Sequence, residues 1–197
     1  MRKLSLLLIL ALSLLSCQKR EHRFYGFLYN QPAYDFELTD QDGKQAKLSN
    51  YTKQGKIVII FFGYTHCPDV CPTALTTLAK MVKELNDKER QEVQVLFISV
   101  DPERDTPEVL KGYVPFFYQN FLGLTGTSES IKKVAKEYKV FYRKVEGESA
   151  AGYLIDHTAT IYVVTPDMRI KLLYTPAKQD PNKMSEDIRY LIEKERN

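Results

Sequence analysis

Lys56-Ile57-Val58-Ile59-Ile60-Phe61-Phe62-Gly63-Tyr64-Thr65-His66-Cys67-Pro68-Asp69-Val70-Cys71-Pro72 contains a strand, a reactive loop and the start of a helix in succession. Residues 57–62 are an unbroken run of β-branched and aromatic side chains, the pattern of a strand buried on both faces. Beyond Cys71, the apolar residues Leu75, Leu78, Ala79, Val82 and Leu85 recur at three- and four-residue steps. That spacing predicts a helix from about Cys71 to Asn86. The two cysteines therefore stand where a buried strand hands over to a helix N-terminus. Free N–H groups and the helix dipole favour thiolate there, the form that binds soft metals and attacks disulfides.

Outward from this unit the chain alternates strands and helices. Upstream, Phe36-Glu37-Leu38 and Ala46 to Leu48 flank Asp42-Gly43, a hairpin signal. Downstream, Val93 to Val100 reads as a second buried strand. Thr106-Pro107 opens a helix running to about Gln119, with threonine as cap and proline at the first helical position. A short strand at 121–124, a helix capped by Thr127 or Ser128, and a strand at 140–145 follow. Ala159 to Thr165 and Ile170 to Tyr174 make a hairpin about Pro166-Asp167, and Asp180-Pro181 starts a last helix with Met184, Ile188, Leu191 and Ile192 inside. Alternating strands and helices imply a parallel core, and a closing antiparallel hairpin plus terminal helix fits an α/β, thioredoxin-like fold. The expected architecture is a central mixed sheet flanked by helices, with an added N-terminal hairpin.

The 197 residues, 44% of them hydrophobic, suffice for one ordinary domain with a sizeable core. Met1-Arg2-Lys3 is a short positive segment, Leu4 to Leu15 is almost wholly apolar, and Leu14-Leu15-Ser16-Cys17 resembles the bacterial lipobox. The apolar run is too short for a spanning helix, which needs about 20 residues, and reads as a signal peptide. The expected division is a lipoprotein-type signal peptide at 1–16, a lipidated Cys17 and tether at 17–31, and the domain at 32–197. An uncleaved short anchor is the alternative. Either places the domain outside the cytoplasm beside a membrane, on the periplasmic side or the outer cell surface. The net charge of +3 includes Arg2 and Lys3. Without them the balance is nearly even, which gives no electrostatic case for nucleic acid.

With Cys17 assigned to lipid, Cys67 and Cys71 remain in a compartment where disulfides form readily. A bridge across so small a loop stabilises little, so the pair calls for a chemical explanation. Three residues separate the cysteines, against two in thioredoxin-type redox sites, yet a disulfide remains feasible. Redox and metal chemistry both stay open on spacing alone; a third ligand favours metal. Of the three histidines, His22 lies in the tether and His66 reads as a solvent-facing loop residue. His157, in Gly152-Tyr153-Leu154-Ile155-Asp156-His157-Thr158, reads as part of a loop entering the 159–165 strand. In thioredoxin-like folds that loop packs against the active-site cysteines. Two thiolates and one imidazole suit Cu(I), and can also hold Cu(II) or Zn(II).

The elements FFGYTHCPDVCP (61–72), VQVLFISVDPERDTPEVLKGYV (93–114) and IDHTATIYVVTPD (155–167) together resemble the Sco (SenC) family of copper proteins, from about Pro32 to Glu193. The resemblance implies copper ligation by Cys67, Cys71 and His157. It also implies a role in assembling the binuclear copper centre of cytochrome c oxidase, by delivering copper or by reducing that centre's cysteines. The implied partners are the copper-bearing oxidase subunit or another copper chaperone, with the membrane reached through the N-terminal lipid. Asp69 and Asp101 match family positions that tune the site or the partner contact. Their bland readings are a charge at a helix N-terminus for Asp69, and turn and cap chemistry for Asp101 and Asp105. The alternative function is an extracytoplasmic thiol–disulfide oxidoreductase using Cys67 and Cys71, so that any enzymatic role is auxiliary. A peroxiredoxin-like peroxidase leaves His157 without a purpose, and a copper-dependent redox sensor is not distinguished from a chaperone.

Overall fold

A computed structural model describes residues 22–149 and 152–196; the signal peptide expected at 1–16 and the lipidation expected at Cys17 lie outside the described residues. The strands are β1 (Phe27–Pro32), β2 (Glu37–Asp40), β3 (Gln45–Lys47), β4 (Ile57–Gly63), β5 (Val93–Ser99), β6 (Leu122–Thr125), β7 (Tyr142–Ser149), β8 (Gly152–His157), β9 (Ile161–Thr165) and β10 (Arg169–Tyr174). The helices are α1 (Leu48–Thr52), α2 (Val70–Glu84), α3 (Asp87–Gln91), α4 (Pro107–Phe117), α5 (Ser128–Glu137) and α6 (Pro181–Glu195). Eight strands form one mixed sheet in the order β1-β10-β9-β4-β5-β6-β2-β3. β4, β5 and β6 run parallel, and β9 lies antiparallel to β4. This is the thioredoxin-like architecture expected from the alternating pattern.

Every residue of β4 and β5 is buried, as their continuous apolar runs require. α2 buries Ala74, Leu75, Leu78, Ala79, Met81 and Val82 and packs against α6. The helix starts hold as read: Thr106 caps α4 through the Val109 N–H, Thr127 caps α5 through Ser130, and Asp180 caps α6 through Asn182 and Lys183. β2 and β3 form the added hairpin, with Gly43 at φ +77° in its turn, where glycine carries no Cβ penalty. No helix among the described residues is long and apolar enough to cross a membrane.

Three features depart from the sequence reading. Residues 27–31, read as tether, form edge strand β1 and pair antiparallel with β10, Phe27 opposite Leu173. The segment 152–157, read as loop, is strand β8; with β7 it makes a separate two-stranded sheet. Among the side chains described on β8 only Ile155 is fully buried, so little apolar alternation marks it. α3 is wholly polar (DKERQ) and shows no period; it is held by a capping box in which Asn86 accepts from the Lys88 and Glu89 N–H groups and Glu89 accepts in return.

Candidate metal centre

β4 delivers the chain at Gly63 into the loop 64–69, and α2 begins at Val70. Cys71 sits in the first turn of α2, fully buried, while Cys67 in the loop is only partly covered. The Cys71 N–H points at the Cys67 sulfur, 3.4 Å away. From the far side β8 brings in His157, whose Nε2 lies 3.3 Å from the Cys71 sulfur. The ring nitrogen and both sulfurs lie within 4.8 Å of one another, and among the described residues these three form the one group of histidine, cysteine and carboxylate ligands with that spacing.

The imidazole is oriented for ligation. Its Nδ1 is 3.1 Å from the carbonyl oxygen of Thr158, which can only accept. A proton on Nδ1 leaves the Nε2 lone pair free for a metal, whereas in the metal-free site an Nε2–H donates to the Cys67 thiolate. Phe61 and Tyr64 meet the ring edge-on, with centroids 6.2 and 5.8 Å away.

The two thiols share one proton. Cys67 is held far below an ordinary thiol, at about 3, because the Cys71 thiol donates to it; His157 and the backbone N–H groups of Asp69 and Cys71 add to this against the cost of burial. Cys71 moves the other way, pushed up by burial and by the thiolate beside it. The opposed shifts describe a single arrangement, a Cys67 thiolate capped by a protonated Cys71.

Buried polar residues hold this geometry. Asp105, fully buried, accepts from the Thr65 N–H (3.0 Å), the Thr65 hydroxyl (2.6 Å) and the Ser99 hydroxyl (2.6 Å), fixing the cysteine loop to the end of β5. Burial raises its pKa, and these hydrogen bonds oppose the rise. Asp101 accepts from the Tyr153 hydroxyl at 2.7 Å and from Arg104 Nε at 2.5 Å. The Arg104 guanidinium lies 3.7 Å from the Tyr153 ring centroid and donates to the Tyr153 carbonyl at 3.0 Å. The Ile155 N–H donates to the Tyr64 hydroxyl at 3.1 Å. Tyr64, Asp101 and Arg104 thus secure the strand that carries His157.

Cys67, Cys71 and His157 come together as the sequence placed them. Asp101 is buried and faces Arg104 and Tyr153, and its backbone N–H donates to Ser99, so it reaches the sulfurs through β8 and through the Ser99–Asp105 bonds rather than directly. The Asp69 side chain is exposed at the α2 N-cap and makes no capping bond; its backbone N–H is what the Cys67 sulfur meets. His66 is exposed and its ring touches the Thr65 hydroxyl at 3.0 Å, away from the sulfurs. His22 pairs with Asp187 at 2.8 Å. Sequence reading gave no role to Tyr64, Arg104 or Tyr153, which carry no motif signal individually; the dense charge of Asp101-Pro102-Glu103-Arg104-Asp105 directly after a buried strand was the available hint.

Gly63 is set by the same packing. A Cβ there would stand 2.7 Å from the Cys71 sulfur and 2.8 Å from Phe97 Cε2. Gly63→Ala is expected to cost about 1–3 kcal/mol, as overpacking of a filled core does, and to displace Cys71. A urea melt reads the first effect and copper affinity the second; an unchanged midpoint contradicts the packing account.

Residues 29–193 match the SCO1/SenC family. The chain belongs to that family. SCO1 homolog 1, mitochondrial, of Arabidopsis thaliana is 42% identical over 139 residues, covering 71% of this chain and 41% of that protein, so the chain spans less than half the relative's length. Apo Sco1 of Thermus thermophilus superposes with a TM-score of 0.76 at 42% identity, over 87% of this chain and 99% of that one. Arabidopsis thaliana ScoI with copper bound gives a TM-score of 0.71 at 36% identity, over 82% and 98%. Membership accounts for the conjunction of three separate sequence elements around one site: 61–72 supplies both sulfurs, 155–167 the imidazole, and 93–114 the Asp101–Asp105 segment that braces them.

Proposed function

We propose that this SCO1/SenC protein is an extracytoplasmic copper metallochaperone, held at a membrane by lipid on Cys17. In this reading it delivers copper to the binuclear copper centre of cytochrome c oxidase, or reduces that centre's cysteines, during assembly. The observation that carries the reading is the convergence of Cys67, Cys71 and His157 within 4.8 Å. Two sulfurs and an imidazole form a soft donor set, matched to Cu(I) and able to hold Cu(II). Copper bound to the Arabidopsis relative supports the choice of ion.

Copper here is cargo, so the site must take it up and release it. Cys67 is partly exposed in a groove of about 460 Å³ lined by Pro68, Val70, Leu154 and Pro176 as well as His157. A partner docking on this apolar rim can present its own ligand beside Cys67, whereas Cys71 stays inside. The partner in this reading is the copper-bearing oxidase subunit or another copper chaperone.

A second reading uses the same thiols as a thiol–disulfide oxidoreductase. It is favoured by the shared proton: the Cys67 thiolate attacks a target disulfide to form a mixed disulfide, and Cys71, once it yields its proton, resolves it. An insulin-reduction assay separates the two. Activity that survives His157→Ala belongs to the thiols alone.

Deleting the gene should lower oxidase assembly, with recovery on added copper or on re-expression of the wild-type chain, and none on re-expression of the chain carrying Cys67→Ser and Cys71→Ser. Full oxidase assembly in the deletion strain at low copper would sink the delivery reading.

A further inference from the structure

Residues 22–32 are bolted to the domain. Asp187 on α6 is buried and accepts from the backbone N–H groups of Tyr25 (3.1 Å) and Gly26 (2.9 Å) and from the Tyr174 hydroxyl (3.0 Å), with His22 Nε2 at 2.8 Å. His22 also stacks on Tyr190 of the same helix, with ring centroids 4.4 Å apart. A buried carboxylate satisfied so fully fixes the path of the segment that satisfies it. Gly26 completes the fit, because a Cβ there would stand 2.7 Å from Tyr174 Cε1.

This path brings the chain in at the same end of the sheet as the donor cluster. Across that end Phe27 pairs with Leu173, Tyr174 with Ile161, and Ile161 with Phe61, two residues before Gly63. Three strand spacings, ~14 Å, separate β1 from β4. The turn after β10 joins the two places: Pro176 lines the groove beside Cys67, and Lys178 donates to the Tyr25 carbonyl at 2.9 Å.

The outer surface of the bolted segment is apolar and basic together. Phe27 and Leu28 are 50% and 63% exposed, Arg23 and Lys183 are exposed, and the Lys178 ammonium lies 5.0 Å from the Phe27 ring. Just upstream in the sequence, Lys19, Arg20 and Glu21 add one further net positive charge. Aromatic and aliphatic side chains among lysines and arginines suit the interface of water and anionic lipid. Cys17 precedes His22 by five residues, which span at most ~18 Å even when fully extended.

We infer that the sheet edge at Phe27 and Leu28, whose side chains leave β1 on opposite sides, rests together with Arg23 and Lys183 on an anionic lipid surface and turns the Cys67–His157 groove toward the membrane. The inference rests on the anchoring of Cys17 under the proposed function. It gives the short tether a purpose: the cargo site is offered at the lipid surface, where a membrane-bound acceptor can meet it without a search in solution.

The chain contains no tryptophan, so one introduced residue reports its own position. Leu28→Trp marks the inferred edge; Gln54→Trp, exposed in the turn before β4, marks the opposite end. The lipidated full chain is bound to phosphatidylglycerol-rich vesicles containing brominated lipid. The expected result is emission from Leu28→Trp quenched about 2-fold or more, as suits a side chain ~5–10 Å into the headgroup region, with Gln54→Trp unaffected. Adding Arg23→Glu and Lys183→Glu to Leu28→Trp should remove most of that quenching. A chain that floats with the vesicles while both tryptophans respond alike overturns the inference and leaves the lipid anchor standing. A chain that does not float removes the anchor and the inference together.

Discussion

His157→Ala lowers copper affinity by at least ~10-fold, since even partners behind a metal ligand are worth 10- to 100-fold, and leaves the fold as it was. The imidazole contributes little to the core: it is partly covered, touches Phe61 and Tyr64 edge-on, and lies at the end of a small two-stranded sheet. Its Nε2, by contrast, faces the two sulfurs, with Cys71 at 3.3 Å. Competition against a copper(I) chelator reads the affinity, and a urea melt of the same sample reads the fold. Equal affinity in wild type and variant would leave the cysteines as a plain dithiol. His66→Ala, which removes an exposed ring that meets Thr65, should change neither reading.

The second large effect is on the reactivity of Cys67 against pH. A free cysteine with a pKa of about 8.5 loses roughly 3 orders of magnitude of thiolate between pH 8 and pH 5. Cys67, held at about 3 by the Cys71 thiol, His157 and two backbone N–H groups, keeps its thiolate across that range. Its alkylation by iodoacetamide in the reduced, metal-free chain should therefore be nearly flat from pH 8 to pH 5. Thiolate absorbance should persist over the same interval. Cys71→Ala removes the foremost cause of the depression and should restore a rise in rate with pH.

The same shifts set the sign of stability against pH. Cys67 has its pKa depressed by folding, so its contribution is full above the unfolded thiol pKa and lost as pH falls toward about 3. Cys71 has its pKa raised, so its contribution is full below the unfolded value and lost as pH climbs beyond it. The pair together favours the folded, reduced state most strongly near the ordinary thiol pKa. An alkylation rate for Cys67 that collapses on acidification like that of a free thiol contradicts the shared-proton arrangement.

Much of this was legible in the sequence because burial on both faces leaves an unmistakable trace. Ile57 to Phe62 and Val93 to Ile98 could only be interior strands, and the cysteines between strand and helix follow from their position in the chain. β1 and β8 escaped because each exposes most of its surface. Every residue of β1 is exposed, and it is fixed by main-chain pairing with β10 and by Asp187 from the far end of the chain. Residues 22–31, which the sequence reads as tether, are therefore part of the packed fold. β8 is positioned by Tyr64, Asp101 and Arg104, contacts 49 to 91 residues distant in sequence that no local pattern records. His157 was found even so, since the strand after it, Ile161 to Thr165, was plain and fixes where the preceding residues must lie.

The division of the site between two supports also bears on how it works. Cys67 and Cys71 belong to the junction of β4 and α2, rooted in the central sheet. His157 belongs to the β7–β8 hairpin, which outside its own pairing is held to the body mainly by side-chain hydrogen bonds and the Arg104–Tyr153 stack. Such attachments open at lower cost than a sheet does. Under the proposed function, a copper site with two rigid thiols and one ligand on a lighter support would release its imidazole first, with both sulfurs still in place beside the open groove.

X-ray absorption of the copper(I)-loaded chain tests the three-donor site most directly. The account predicts two sulfur neighbours and one nitrogen neighbour with imidazole scattering, and loss of that nitrogen alone in His157→Ala. A spectrum with sulfur neighbours only, identical in the two proteins, would contradict it.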